Sequence, residues 1–252
     1  LRLKRLQYII RILRLSMTMP MSDTPGILAL DTSSVRGSVA LLEGAELRAE
    51  VRTCSGGTHS VSLLRSIEFL LGRAGWGLGD LGLVAVGIGP GSFTGIRIGI
   101  STALGLSQSL GIPFAGISGL DVLACQAGWL GGKIGVVVDA HRGEVYYGEY
   151  TCRAGRPARS GRPALWKISE LERALAGRHL YIVSDLGASP WEGSAKGTDG
   201  WPRRVPADLF LAAGVGRLAL GRRRYWQTGD APAAEPLYIR PPDAVRNKSR
   251  GR

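Results

Sequence analysis

The sequence predicts an α/β protein built from two related halves, and three features carry that expectation. Two apolar strands, 27–30 and 134–138, each run into an aspartate, Asp31 and Asp139, then turn and pair with a returning strand. Strand-like and helix-like patterns alternate between and after these two hairpins. Finally, the apolar run 83–88 leads directly into a glycine-rich turn and a helical segment, the order of a parallel crossover. A hairpin that recurs at the head of each alternating series points to a duplicated unit.

Taken in order, residues 1–25 come before the first strand. Leu3, Leu6, Ile10 and Leu13 would line one face of a basic amphipathic helix, but Met17, Met19 and Met21 crowd the boundary. The segment therefore reads as an over-extended start rather than a targeting sequence, and is set apart from the fold. Next, residues 27–30 form a buried strand, Asp31-Thr32-Ser33-Ser34 a polar turn and 38–42 the return strand. Thr58 can cap a helix over 58–74, in which Val61, Leu64, Ile67 and Leu71 recur at helical spacing.

Strand 83–88 and its glycine turn feed a helix over 96–110. There Gly95, Gly99 and Ala103 make a row of small residues beside the apolar row Ile96, Ile100 and Leu104. Such rows serve either packing within the chain or close approach of a partner helix. A strand over 113–117 and a helix over 120–129 follow, then the second hairpin. Ser169-Glu170-Leu171-Glu172 has the form of a capping box opening a short helix, and 180–183 is a strand. Residues 187–204, rich in Gly, Ser and Pro, read as a loop. Pro206 suits the first turn of a helix to about Leu220, with Arg222, Arg223 and Arg224 at its negative end. The expected divisions are 1–25, a first half 26–112, a second half 113–243 and a basic tail 244–252.

With 44% hydrophobic residues the chain is globular in composition, and no apolar run approaches the roughly 20 residues a membrane span needs. Cys54, Cys125 and Cys152 are odd in number and far apart, as in a reducing compartment, and make neither a disulfide framework nor a C-x-x-C site. The net charge of +12 is mostly terminal: segments 1–20 and 240–252 hold ten bases against Asp243, leaving 22 bases and 19 acids elsewhere. A basic tail can bind RNA phosphates without reading bases, or simply solubilise the chain.

The glycine turn is the candidate site. A helix start offers free N–H groups and a positive dipole end, so Gly89, Gly91, Ser92 and Thr94 could receive a phosphate, with Thr32 and Ser33 supplying hydroxyls from the first hairpin. The same glycines could instead serve close packing. The dinucleotide fingerprint fails, because Thr94 stands at its third glycine, and a Walker A loop fails for want of a lysine between Lys4 and Lys133.

Four blocks in this order carry a family resemblance: Leu28-Ala29-Leu30-Asp31-Thr32-Ser33; the stretch from Gly89-Pro90-Gly91-Ser92-Phe93-Thr94 to Gly99; Asp139-Ala140-His141-Arg142-Gly143-Glu144-Val145-Tyr146; and Glu235-Pro236-Leu237-Tyr238-Ile239-Arg240. Together they resemble the TsaB (YeaZ) family of bacterial tRNA threonylcarbamoyladenosine biosynthesis proteins. The resemblance implies an actin-like ATPase fold of two RNase H-like halves, each a mixed sheet flanked by helices. It implies a cytoplasmic role beside the catalytic paralogue TsaD and the ATPase TsaE, in modifying the adenosine next to the anticodon of tRNA. The paralogue carries a His-x-x-x-His metal pair, whereas this chain has Gly119 and Leu123 in the corresponding places. No catalytic residue, metal ligand or cofactor is therefore assigned to this chain. ATP and a metal ion are expected in the partner.

Two other activities are weighed from the residues. A glycoprotease-like peptidase would need Ser92 or another nucleophile with a base, yet Gly91-Ser92-Phe93-Thr94-Gly95 is not a nucleophile elbow. A small-molecule kinase would need phosphate contacts from both hairpin turns, and Asp139-Ala140-His141-Arg142-Gly143 is bulky for that task. The expected partner surface is Val61, Leu64, Ile67 and Leu71 on the first helix with Ile96, Gly99, Ile100, Ala103 and Leu104 on the second, pairing with the paralogue or with a second copy.

Overall fold

The structure, a computed structural model, describes residues 26–54, 59–186, 202–223, 226–227, 235–237 and 239. The leader 1–25, the capping residue Thr58, the side chain of Val61 and the tail 244–252 lie outside the described residues.

The first half opens with β1 (Gly26–Asp31), β2 (Arg36–Glu43) and β3 (Glu46–Cys54), an antiparallel meander. It continues through α1 (His59–Ala74), β4 (Leu81–Gly87), α2 (Phe93–Leu110) and β5 (Phe114–Ile117), with β4 parallel to both β1 and β5. Its sheet order is β3-β2-β1-β4-β5.

After α3 (Gly119–Gln126) and a 3-10 turn at Gly128–Leu130 come β6 (Gly132–Asp139), β7 (Glu144–Arg153), β8 (Arg156–Arg159), β9 (Ala164–Lys167), α4 (Ile168–Leu175), β10 (Tyr181–Ser184), β11 (Arg203–Val205) and α5 (Ala212–Gly221). The second sheet runs β11-β10-β6-β7-β8, with β9 also on β7. Counted from its own first strand, with β9 set aside, this is again 3-2-1-4-5, the hairpin antiparallel and the later strands parallel. The halves are duplicates of one RNase H-like unit, and together they form the actin-like fold.

Alternation within β1 divides the core. Leu28 and Leu30 face α1 and α2, where Leu63, Ile67, Leu70, Leu71, Ile96, Ile100 and Ala103 pack on them. Ile27 and Ala29 face the other way, onto α3, α5 and, beyond them, Ile134, Val136 and Tyr150 of the second sheet. The helix α4 covers the outer face of that sheet through Leu171 and Leu175. The layers are thus helix, sheet, helix, sheet, helix. Among the described residues no helix is long and apolar enough to cross a membrane.

Several expectations change. The division expected after residue 112 falls one strand early, because β5 hydrogen-bonds to β4 and completes the first sheet. The last helix starts at Ala212 rather than Pro206. Residues before it are held straight by Gln126, whose side chain bonds both Asp208 N (2.7 Å) and Asp208 O (2.8 Å), and Ser38 Oγ accepts the helix's Ala212 N–H. The capping box does not form: α4 begins at Ile168, so Ser169 is inside the helix. Finally, β3, β8, β9 and β11 were not expected. β3, β8 and β11 are rich in charged residues and largely exposed, and β9 (Ala164-Leu165-Trp166-Lys167) is only four residues long, so none shows the pattern by which a strand is recognised.

Candidate functional site

The C-terminal ends of β1, β4 and β6 converge on a cleft of about 450 Å³ between the halves. Its polar side includes Ser33, Ser92, Asp139 and Asp185, and its floor includes Leu123 and Leu211.

The glycine turn sits directly on the first hairpin. Ser92 donates its N–H to Ser33 O at 2.7 Å, and Thr32 Oγ1 donates to Gly95 O at 2.7 Å. A side chain at Gly91 would collide with Ser33 O and one at Gly95 with Thr32 O. The small row Gly95, Gly99 and Ala103 thus lets α2 press onto β1 and its turn, the packing within the chain that was one of its two expected roles. Thr32 and Ser33 are buried, and Ser33 Oγ is 3.3 Å from Asp31 Oδ2. Ser92 Oγ accepts from Gly95 N (3.2 Å) and so caps α2. Gly89 O accepts the Gly119 N–H at 2.8 Å, joining turn to α3. Of the six candidate phosphate-binding residues, Ser33, Gly91 and Ser92 line the cleft and Thr32 and Gly89 adjoin them outside its lining, with much of their hydrogen-bonding capacity used within this knot and by Gly119. Thr94 is exposed outside the cleft lining.

Asp31 lies beneath this knot, 1% exposed. Burial pushes its carboxyl up to about 6, more than the Ser33 hydrogen bonds lower it. In the second half, His141, Arg142 and Gly143 turn the chain through three consecutive left-handed residues (φ 60°, 58° and 73°). Asp139 Oδ1 accepts the His141 N–H at 2.7 Å, and Asp185 Oδ1 accepts the Asp139 N–H at 2.7 Å. Burial, then the nearby Asp139, raise the Asp185 pKa.

Gly119 and Leu123 both line the cleft. A Cβ placed on Gly119 would lie 3.2 Å from Leu211 Cδ1, so the side chain of the residue that precedes α5 fills the room beside it. Neither residue can ligate a metal. Among the described residues no group of three or more His, Cys, Asp or Glu could hold one. Burial raises the Cys125 thiol, which works against a reactive thiolate.

Sequence reasoning missed the centre of charge behind the cleft. Asp121 of α3 accepts from Arg222 at the end of α5 (2.8 Å), from Arg159 of β8 and from Tyr150 Oη of β7 (2.8 Å). Burial raises its pKa, but the three hydrogen bonds together leave it below the ordinary value. Only the cations at 222–224 were a signal, and they pointed to the helix dipole rather than to a carboxylate about 100 residues away.

The expected partner surface divides. Ile67, Leu71, Ile96, Gly99, Ile100 and Ala103 are buried against the chain's own sheet, because its broad apolar face needs both helices to cover it. Leu104 is half-buried, while Leu64 (56% exposed) and Phe69 (59% exposed) project outward from α1.

Comparison with known proteins now bears on this geometry. Residues 53–180 match the family model TsaD, tRNA N6-adenosine threonylcarbamoyltransferase. The tRNA threonylcarbamoyladenosine biosynthesis protein TsaB of Escherichia coli is 31% identical over 227 residues, 85% of this chain and 94% of that one. Its Bacillus subtilis counterpart is 39% identical over 129 residues, 51% of this chain and 56% of its own length. A solved Pseudomonas aeruginosa structure, described as an uncharacterized protein with similarity to peptidase YEAZ, aligns over 86% of this chain and all of its own, with 29% identity and a TM-score of 0.67.

Proposed function

The chain belongs to the TsaB family of tRNA threonylcarbamoyladenosine biosynthesis proteins, and on that footing we propose that it is the noncatalytic partner of the catalytic paralogue TsaD. One observation carries the reading. Where the paralogue's metal-binding imidazoles would correspond, this cleft has Gly119, with Leu211 packed beside it, and Leu123. Those residues bind no metal, and the hydroxyls of Ser33 and Ser92 are committed to Asp31 and to the cap of α2. ATP and the metal ion belong to the partner subunit and the ATPase TsaE, and tRNA is the substrate of the assembly.

The outer side of α1 is the surface offered to the paralogue. Leu64 and Phe69 stand five residues apart on a helix whose other side is fully used, and such exposed apolar side chains anchor interfaces. Without the paralogue the same face pairs with a second copy.

Reconstitution tests this. The purified chain, TsaD, TsaE and tRNA are combined with ATP and threonylcarbamoyl-adenylate, whose leaving group is AMP, and threonylcarbamoyl transfer is measured with each protein omitted in turn. Transfer is expected only when both this chain and TsaD are present. Transfer by this chain without TsaD, or undiminished transfer when it is omitted, would refute the assignment.

A further inference from the structure

We propose that the β7–β8 hairpin together with Trp129 is an RNA-contact surface, a deepening that rests on the tRNA-modification reading above. The stretch 150–163 holds Arg153, Arg156, Arg159 and Arg162 and no acid. Arg159 is spent on Asp121. Arg153, Arg156 and Arg162 are exposed, and among the described residues none of them meets a carboxylate.

The register concentrates this charge. Arg153 and Arg156 are paired directly across a two-residue turn, Ala154 (φ 49°) and Gly155 (φ 75°), so their side chains leave the same face of the ribbon. Like charges directly opposite destabilise a hairpin. A bound polyanion removes that penalty, and arginine's planar fork fits a phosphate bidentately.

Beside the hairpin stands Trp129, 77% exposed, the most exposed large apolar side chain described. Its turn is fixed against the hairpin: Cys152 Sγ donates to Gly128 O at 2.8 Å, and a Cβ on Gly128 would lie 2.9 Å from Gly155 O. An exposed indole on a turn packed against the arginine-bearing hairpin can stack an unpaired base while the guanidiniums hold the flanking phosphates. A lipid surface fits less well, since the other exposed large apolar residues described, Val35, Leu47, Leu64 and Phe69, all belong to the first half.

The test measures binding of tRNA to the full chain across a potassium chloride series. Arg153→Glu/Arg156→Glu is expected to weaken binding at least tenfold and to lower the log–log salt slope by about two, one unit per lost phosphate contact. Trp129→Ala should weaken it about tenfold, as loss of one stacked base does, with little change in slope. Lys167→Glu/Arg173→Glu, an equal charge change on another exposed surface, should stay within about twofold of the parent. Melting curves establish that each variant is folded.

Unchanged tRNA affinity in both hairpin variants overturns the proposal, as does an equal loss in the control pair. So does a hairpin variant that loses binding to phosphatidylglycerol vesicles or to TsaD while its tRNA affinity stands. Failure here is distinguishable from failure of the function: a parent chain that supports transfer with TsaD keeps that function even if the hairpin variants bind tRNA normally.

Discussion

Ser92 gives its backbone N–H to the carbonyl oxygen of Ser33 at 2.7 Å, and this bond across 59 residues welds the glycine turn to the first hairpin. The turn's glycines are explained by that contact, since at Gly91 and Gly95 backbone oxygen of the hairpin occupies the place of a side chain.

Gly95→Ala should therefore destabilise the fold by about 3 kcal/mol, the upper range for overpacking, because the obstacle is the Thr32 carbonyl and not a movable side-chain tip. Gly105→Ala is the comparison: no atom lies within 4 Å of its Cβ position, and the change should stabilise α2 by up to about 1 kcal/mol. Urea unfolding of both variants decides the matter.

Leu64→Glu and Ile100→Asp should separate folding from assembly. Leu64 is exposed, so its replacement should shift monomer stability by less than about 0.5 kcal/mol while abolishing co-purification with TsaD. Ile100 is 7% exposed within the core, and a carboxylate there should cost at least about 3 kcal/mol and unfold much of the chain. Thermal melts and pull-down on the same samples read both effects.

Asp31 makes the fold pH-sensitive. Its carboxyl titrates at about 6 in the folded chain against 3.8 ordinarily, so between those values the folded state binds more protons than the unfolded. Stability from this group is present at low pH and falls as pH rises through the window, by about 3 kcal/mol in all. Asp31→Asn should be more stable than the parent at about pH 8 and lose that advantage by about pH 4. Urea midpoints across pH measure the difference.

Asp121 has the opposite sign. Its depressed pKa means that its contribution is present above the usual carboxylate range and is lost as pH falls below it. Asp121→Asn leaves Arg159 and Arg222 facing each other without a counter-charge. Because their side chains are 33% and 32% exposed, the cost should be roughly 3 kcal/mol, the low end for breaking a buried pair. Added chloride should narrow the gap between variant and parent if charge is the cause.

Much of the fold is legible in the sequence because β1, β4 and β6 are buried on both faces and so appear as continuous apolar runs. The repeat of such a run ending in aspartate gave away the duplication. The edge strands were not legible, since β3 and β8 carry as many charged as apolar residues and owe their structure to a neighbour's backbone. At the site, the spacing of the glycines marked the turn but could not distinguish a phosphate from Ser33 and Thr32 as its occupant.

What the chain's order of residues determined alone was local: which segments are apolar, where glycine permits a turn, and that two halves share one plan. Tertiary structure decided the rest. It chose which side of α1 and α2 is buried, because an amphipathic stripe states only that something must cover it. It also placed Ser38 at the head of α5 and Asp121 between Arg159 and Arg222, contacts whose partners lie 174, 38 and 101 residues apart. Hydrogen bonds and ion pairs act over a few ångströms of space, and along the sequence nothing marks such distant groups as neighbours until the sheets have brought them together.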